Sequence, residues 1–444
     1  MTRKILTLAV AIALALPLLA GAQKIPLSLE EALAAGLDSS PGLHASRLKL
    51  EAASASAREI AAGRLPALKL GAGYTRLSEV PDFQVTLPIS PIPVVVSQSY
   101  FNNFNLRLGV QQPLFTGFRL QAGEGSARML EAAAGQDLAK DRAELVFAVK
   151  NAYWGLARAR EFEKVIDENV RQVAEHLKDV RAFFDQGLVT RNDVLRTELE
   201  LSNAEIMRID ARNAAEIALA GLASLIGLPL DAEVDLTTPV ESQASRLPAD
   251  AGSGEASPVE TALTRRPEIR SAEFRISAAE QGVKAARSGF YPQVLLTGNY
   301  YYLRPNPRFL PALDRFKGTW DVGLSVSFDV WNWGQTKRQT EQAEARLGQA
   351  RDARKALEDL AVLEIAQCRL SLARAGEKVR VAGQAVGQAE ENLRVTRERF
   401  KQGVALSADV LDAEVALLRA KLGRTQASID QVLAQARLEK ALGD

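Results

Sequence analysis

The most regular feature of the chain is a three-four spacing of apolar positions. Leu372, Ala375, Val379, Ala382, Val386, Ala389 and Leu393 follow it without a break. Leu156, Ala159, Ile166, Val170, Val173, Leu177, Val180 and Phe184 follow it with one interruption at Glu163. Alternating steps of three and four keep one helix face against a partner, so the spacing predicts coiled-coil packing. The helical pattern extends over about 119–186 and again over about 335–402. At a rise of 1.5 Å per residue, each such helix is roughly 100 Å long. Globular helices average about three to four turns, so an ordinary domain does not account for these. Gly187 and Gly403 end them, because glycine tolerates the backbone of a helix C-terminus. Further helices are predicted over about 191–226 and 407–442. Shorter ones, each introduced by a proline, precede the strands.

Ahead of each long helix the apolar period drops to two. Leu68, Leu70, Ala72 and Tyr74 alternate with small or polar residues, as do Phe104, Leu106, Leu108 and Val110. Val294, Leu296, Gly298, Tyr300 and Tyr302 repeat the pattern, although Leu295 and Tyr301 blur the polar side. Trp320, Val322, Leu324, Val326 and Phe328 give the cleanest strand. The predicted strands are 67–76, 103–115, 293–302 and 319–330, close to the 9 to 11 residues of a tilted membrane strand. Such a strand turns its apolar face to lipid and its polar face to a watery lumen. A soluble hairpin with one buried face has the same period. The flanks favour the membrane: Phe115 and Phe118 close the first hairpin, Trp331 and Trp333 the second, as suits a membrane–water boundary. Both hairpins also carry long tips. Four strands cannot close a barrel, and an open sheet edge cannot face lipid. A homo-oligomer that pools strands within outer-membrane lipid is therefore expected.

Both patterns occur twice because the chain is duplicated. Phe184-Asp185-Gln186-Gly187 matches Phe400-Lys401-Gln402-Gly403, and Asp193-Val194-Leu195 matches Asp409-Val410-Leu411 at the same offset. Upstream, Ser40-Pro41-Gly42-Leu43 pairs with Arg266-Pro267-Glu268-Ile269, and Leu65-Pro66 with Tyr291-Pro292. The expected organisation is an export signal over 1–22, a first repeat over 23–230, a linker over 231–257 and a second repeat over 258–444. The linker is rich in Pro, Ser, Ala and Asp.

Composition narrows the class. Arg3 and Lys4, an apolar run over 5–19, and Ala20-Gly21-Ala22 make a cleavable export signal, with cleavage before Gln23. No later stretch has 18 consecutive apolar residues, so no transmembrane helix is expected. Lys+Arg number 55 against Asp+Glu 54, a balance that argues against nucleic acid as a partner. Cys368 is the sole cysteine, which rules out an internal disulfide. There is no His-Glu-x-x-His, no cysteine pair and no phosphate loop, so no enzyme, metal or cofactor is expected. Gly123-Glu124-Gly125 lacks the strand-to-helix context of a dinucleotide site and reads as a helix start. His44 and His176 read as surface or packing residues, and Cys368 as a packed thiol.

The duplication, the element order and the Gly-x-x-x-x-x-Asp-Val-Leu-Asp-Ala stretch from Gly403 to Ala413 resemble the TolC-type outer-membrane efflux family. The resemblance covers essentially the whole mature chain. It implies a mostly α fold with membrane β-barrel strands: a trimer with a twelve-stranded barrel continued by an α-helical coiled-coil tunnel across the periplasm. It also implies passive export of substrates delivered by an inner-membrane pump and a periplasmic adaptor, the partners meeting the tips around Gly187 and Gly403. By the same resemblance, Asp409 and Asp412 form acidic rings at the periplasmic aperture, with Asp193 the first-copy equivalent of Asp409. The other physical reading is that these acids face solvent near a helix N-terminus, where negative charge is favourable. One departure is plain: the family's latch arginine falls at Ala405, and Arg191 or Arg196 are the candidates to replace it. The rival class is a periplasmic coiled-coil adaptor or structural protein, which needs neither lipid-type strands nor aromatic ends.

Overall fold

The structure is a computed structural model that describes residues 25–86, 88–89, 92–240, 258–310 and 312–443. The export signal and the larger part of the expected linker lie outside the described residues. In chain order, β1 (Ile25–Leu27), α1 (Leu29–Ser39) and α2 (Pro41–Ala62) come first. The first hairpin and its tip comprise β2 (Ala67–Arg76), β3 (Phe83–Val85), β4 (Val94–Ser97) and β5 (Asn102–Thr116). Then follow α3 (Arg119–Asp185), α4 (Arg191–Ile226) and β6 (Val234–Leu236). The second copy supplies α5 (Pro258–Arg265), α6 (Pro267–Ala286), β7 (Gln293–Arg304), β8 (Lys317–Ser327), α7 (Gln335–Lys401) and α8 (Ser407–Leu442). The two copies agree in length: α3 and α7 have 67 residues each, α4 and α8 have 36 each.

The chain folds as two compact units that cut across the repeat. One takes residues 44–141 and 260–362, the other the remainder. The units therefore do not coincide with the two repeats. The reason lies in the sheet, whose order is β2-β5-β7-β8, so the hairpins of the two copies complete one sheet through the β5–β7 pairing.

In the helical unit, Tyr153, Trp154, Leu156, Leu222, Ile226 and Ile429 form a buried core with Leu27 and Val234. The hydroxyl of Tyr153 donates to Leu27 O (3.0 Å) and accepts from Thr238 N (3.2 Å). That bridge holds β1 beside β6, which pair in parallel. Residues 231–240, expected as linker, are thus packed structure. Their three-residue strand is too short to show a period. The coiled-coil seams are buried where the spacing placed them, at Ala375, Val386 and Leu393 and at Leu156, Val170, Val173 and Val180. Ala159, Leu372, Val379, Ala382 and Ala389 are half-buried, and Phe184 is the exposed exception. It is 41% exposed, and its neighbour Phe183 turns inward instead, with its ring centroid 5.3 Å from that of Phe400.

Candidate functional site

In the strand-bearing unit, register sorts the side chains of all four strands into rows. Leu70, Leu108, Tyr300 and Trp320 share one row, and Leu68, Val110, Gly298 and Val322 the next on that face. The opposite face carries the row Lys69, Gly109, Asn299 and Asp321, and the row Gly71, Arg107, Tyr301 and Thr319. On β7 and β8 the usual burial is inverted. Leu296, Tyr300, Tyr302, Trp320 and Val322 are exposed, whereas Thr297, Asn299, Thr319 and Asp321 are half-buried. A water-soluble sheet would bury the first set. Tyr301, the aromatic that blurred the polar side in sequence, faces the guanidinium of Arg107 at 5.4 Å. It belongs to the wet face as a cation–π partner.

Each hairpin passes into its long helix through two residues with positive φ. They are Gly117 (60°) and Phe118 (68°) in the first copy, Trp333 (54°) and Gly334 (79°) in the second. Positive φ is unusual for a bulky side chain, and here it turns an aromatic ring outward at each junction. A Cβ on Gly117 would lie 2.4 Å from Ser288 O, so glycine is required there. Phe118 packs edge-on against Phe115 (5.2 Å) and Tyr291 (5.6 Å), and Trp331 packs edge-on against Trp333 (5.8 Å). β8 ends at Ser327, three residues short of the expectation, so Phe328 and both tryptophans lie beyond the ladder. Trp333 is 89% exposed.

In the helical unit, the tip of each long helix closes on its glycine. Gly187 (φ 70°) donates to Phe184 O and Leu188 N to Phe183 O, both at 2.9 Å. Gly403 (φ 72°) and Val404 repeat this with Phe400 O and Arg399 O. This is the Schellman pattern, which satisfies carbonyls that the helix end leaves unpaired. The next helix starts within a few residues. Thr190 caps α4: its hydroxyl accepts from Asp193 N (3.3 Å), while Thr190 N donates to Asp193 Oδ2 (2.9 Å). The Thr190 hydroxyl also donates to Asp193 Oδ2 (2.6 Å), and this bond, with that from Thr190 N, holds the Asp193 carboxyl below the usual carboxylate range. Asp409 plays the same part for α8, accepting from Leu406 N at 2.9 Å. Asp409 and Asp412 stay exposed, whereas Asp193 is half-buried. Asp193 and Asp409 are therefore helix caps, and Asp409 and Asp412 face water.

Sequence spacing did not reveal a buried polar set next to this tip. His176, 5% exposed, lies 3.0 Å from Ser407 Oγ through Nε2, with the Phe400 ring edge-on at 5.1 Å. Burial lowers its pKa to about 4. Glu414 is 1% exposed and accepts from Arg397 Nη2 at 2.7 Å, and burial raises its pKa. Only the alternation of these polar residues with seam positions marked them in sequence, and a solvated helix face shows the same signal. His44 is exposed, and Cys368 is buried.

These arrangements match proteins of known kind. The sequence profile of the outer membrane efflux proteins fits residues 33–228 and 259–444, which is most of the chain. The chain belongs to the outer membrane efflux protein family. An outer-membrane location and a role as an efflux channel subunit come with that membership, as the family resemblance implied. Among its relatives, the outer membrane efflux protein BepC of Brucella suis biovar 1 is 27% identical over 340 residues, covering 76% of this chain and 72% of BepC. The alkaline protease secretion protein AprF of Pseudomonas aeruginosa is 29% identical over 340 residues, covering 75% of this chain and 64% of AprF. The fold is also that of the outer membrane protein VceC from Vibrio cholerae, with TM-score 0.77, 23% identity, and coverage of 94% of this chain and 96% of VceC. Among the described residues, no helix is long and apolar enough to cross a membrane, and no group of His, Cys, Asp and Glu is placed to hold a metal.

Proposed function

We propose that this efflux-family subunit works as a trimer whose pooled strands form a twelve-stranded barrel. The α3–α4 and α7–α8 helices continue the barrel as a periplasmic tunnel, through which substrates leave passively. The observation that carries the reading is the four-stranded sheet, whose outer strands β2 and β8 have no partner along their outer edges among the described residues, and its exposed apolar face. Unpaired backbone groups in hydrocarbon cost several kcal/mol each. Pairing β8 of one copy with β2 of the next removes that cost. Leu199, Ile206, Ile209 and Ile217 on α4, exposed at 57 to 65%, supply further apolar surface for a neighbouring copy. Phe115, Phe118, Trp331 and Trp333 would then sit at the membrane–water boundary. Asp409 and Asp412, with Asp193 behind them, would line the periplasmic aperture.

The partners we propose are a periplasmic adaptor and an inner-membrane pump, as in tripartite efflux or type I secretion. Support for a docking surface at the tips comes from Leu188 (67% exposed) and Val404 (64% exposed), each just after a tip glycine. With Ala405 in place of the latch arginine, Arg191 and Arg196 remain candidates, although Arg181 is the arginine that bonds across to α4, donating to Glu198 at 2.6 Å.

The test is a cysteine in each edge strand, at Gly71 and Gly323, in a Cys368→Ser background, bridged in outer membranes by a short bis-maleimide. A ladder ending at three copies is expected. Monomers alone, in membranes that contain the protein, would overturn the pooled barrel.

A further inference from the structure

The polar face of the sheet is predominantly cationic. Lys69, Arg107 and Lys317 lie on it by register, and Asp321 is the acid among them. A fourth cation folds in from the β7–β8 tip. Asn306, 1% exposed, anchors that tip by donating Nδ2 to Lys317 O (3.0 Å) and Thr319 Oγ1 (3.1 Å), and its Oδ1 accepts from Arg308 N (3.0 Å). From this fixed turn, Arg308 donates Nη1 to Trp320 O (2.9 Å) and Nη2 to Asp321 Oδ1 (3.3 Å). The other Asp321 oxygen accepts from Asn299 Nδ2 at 2.7 Å, and Asn299 Oδ1 accepts from Arg107 Nε (3.1 Å) and Nη2 (2.8 Å). Both guanidinium carbons lie near the Tyr301 ring, at 5.4 Å for Arg107 and 6.0 Å for Arg308.

The one acid is thus engaged twice, by Arg308 and by Asn299, while Arg107 is held by the neutral Asn299 oxygen and Arg308 by the Trp320 carbonyl as well as by Asp321, both beside one aromatic ring. Among the described residues, Nη1 of Arg107 and Nε of Arg308 have no partner, and both side chains are exposed. A guanidinium with open N–H edges and a fixed orientation is suited to a planar oxyanion. Holding sheet strands together does not require two cations with open donors.

We propose that Arg107 and Arg308 form an oxyanion-binding rung on the water-facing side of the barrel, which takes the carboxylate, sulfonate or phosphate group of a passing solute. The proposal rests on the channel reading and assigns the barrel wall a selectivity of opposite sign to that of the acids at the helix tips. Low ionic strength strengthens the rung, because exposed charges are screened over about 8 Å at physiological salt.

The test uses the full-length protein in planar bilayers, with trisulfonated hydroxypyrene as the probe, added to each chamber in turn. Voltage-dependent block of the wild-type pore is expected. Arg107→Gln with Arg308→Gln weakens the apparent block constant at least tenfold, and Arg308→Gln alone, in the exposed tip, at least threefold. The conductance of each variant before the probe is added reports its assembly. Should the double variant not assemble, the single variant carries the test. Pores that are blocked equally well with and without the arginines, or a wild-type pore that the probe does not block, overturn the rung and leave the channel standing. Absence of any wild-type conductance overturns the channel reading and the rung with it.

Discussion

His176 shows how much of the tip depends on single side chains. Burial is the main reason its pKa falls to about 4, and the Arg397 charge pushes the same way. The hydrogen bond at Ser407 and the charge of Asp179 oppose the shift. In the unfolded chain the imidazole titrates near 6.5, so below that pH the unfolded chain takes up a proton that the folded chain refuses. The contribution to stability is complete above about pH 6.5 and is lost as pH falls toward 4, by at most about 3 kcal/mol. Hydrogen exchange around the tip, corrected for intrinsic rate, should show protection lost between pH 7 and 4.5 in the wild type and a flatter profile in His176→Phe. Equal slopes in the two proteins would remove His176 from the account. The caps work at the same scale. Thr190→Ala should cost about 1 kcal/mol, since it removes the acceptor for Asp193 N. Gly403→Ala, with open space around its Cβ but φ at 72°, should cost about 1 kcal/mol through the backbone alone. The matching shifts in thermal midpoint check both.

At the scale of the element, face decides. Leu324 lies on the exposed apolar row and its neighbour Ser325 on the other side of β8. Arginine at Leu324 should cost about 2–4 kcal/mol if that row meets lipid near the midplane, whereas arginine at Ser325 should cost far less. The amount of protein folded in the outer membrane reads this difference directly, and equal losses would mean that the row does not face lipid. The two periods that carry this argument were legible in sequence because they run over many residues: the seam through Val379, Val386 and Leu393, and the alternation through Trp320, Val322 and Leu324. Short or tertiary features were not legible. β1 and β6 have three residues each and are set by tertiary contacts such as the Tyr153 hydroxyl between Leu27 and Thr238. The spacing assigned Phe184 to the seam, but Phe183 takes the inward place against Phe400. Asp193 and Asp409 were recognised as acids near helix starts. Their capping bonds depend on the positions of Thr190 and Leu406, which the spacing alone did not supply.

At the scale of the whole molecule, the acids and the oligomer have to be argued together. A single Asp409 on a helix tip is a cap and no more. Around a three-fold aperture, copies of Asp409 and Asp412 would act on the same passing ion. One unit charge about 10 Å away in water contributes about 0.4 kcal/mol, so several of them change the ratio of cations to anions several-fold. Asparagine separates this effect from stability, because its side-chain oxygen still accepts from Leu406 N while its charge is gone. Asp409→Asn with Asp412→Asn should therefore assemble normally and shift the reversal potential, measured across a salt gradient at low ionic strength, toward anions. Asp193→Asn should shift it less, since that carboxylate is half-buried and already engaged with Thr190. An unchanged reversal potential in the double variant would leave Asp409 as a cap and Asp412 as a solvent-facing acid, and place the selectivity of the pore elsewhere along the conduit.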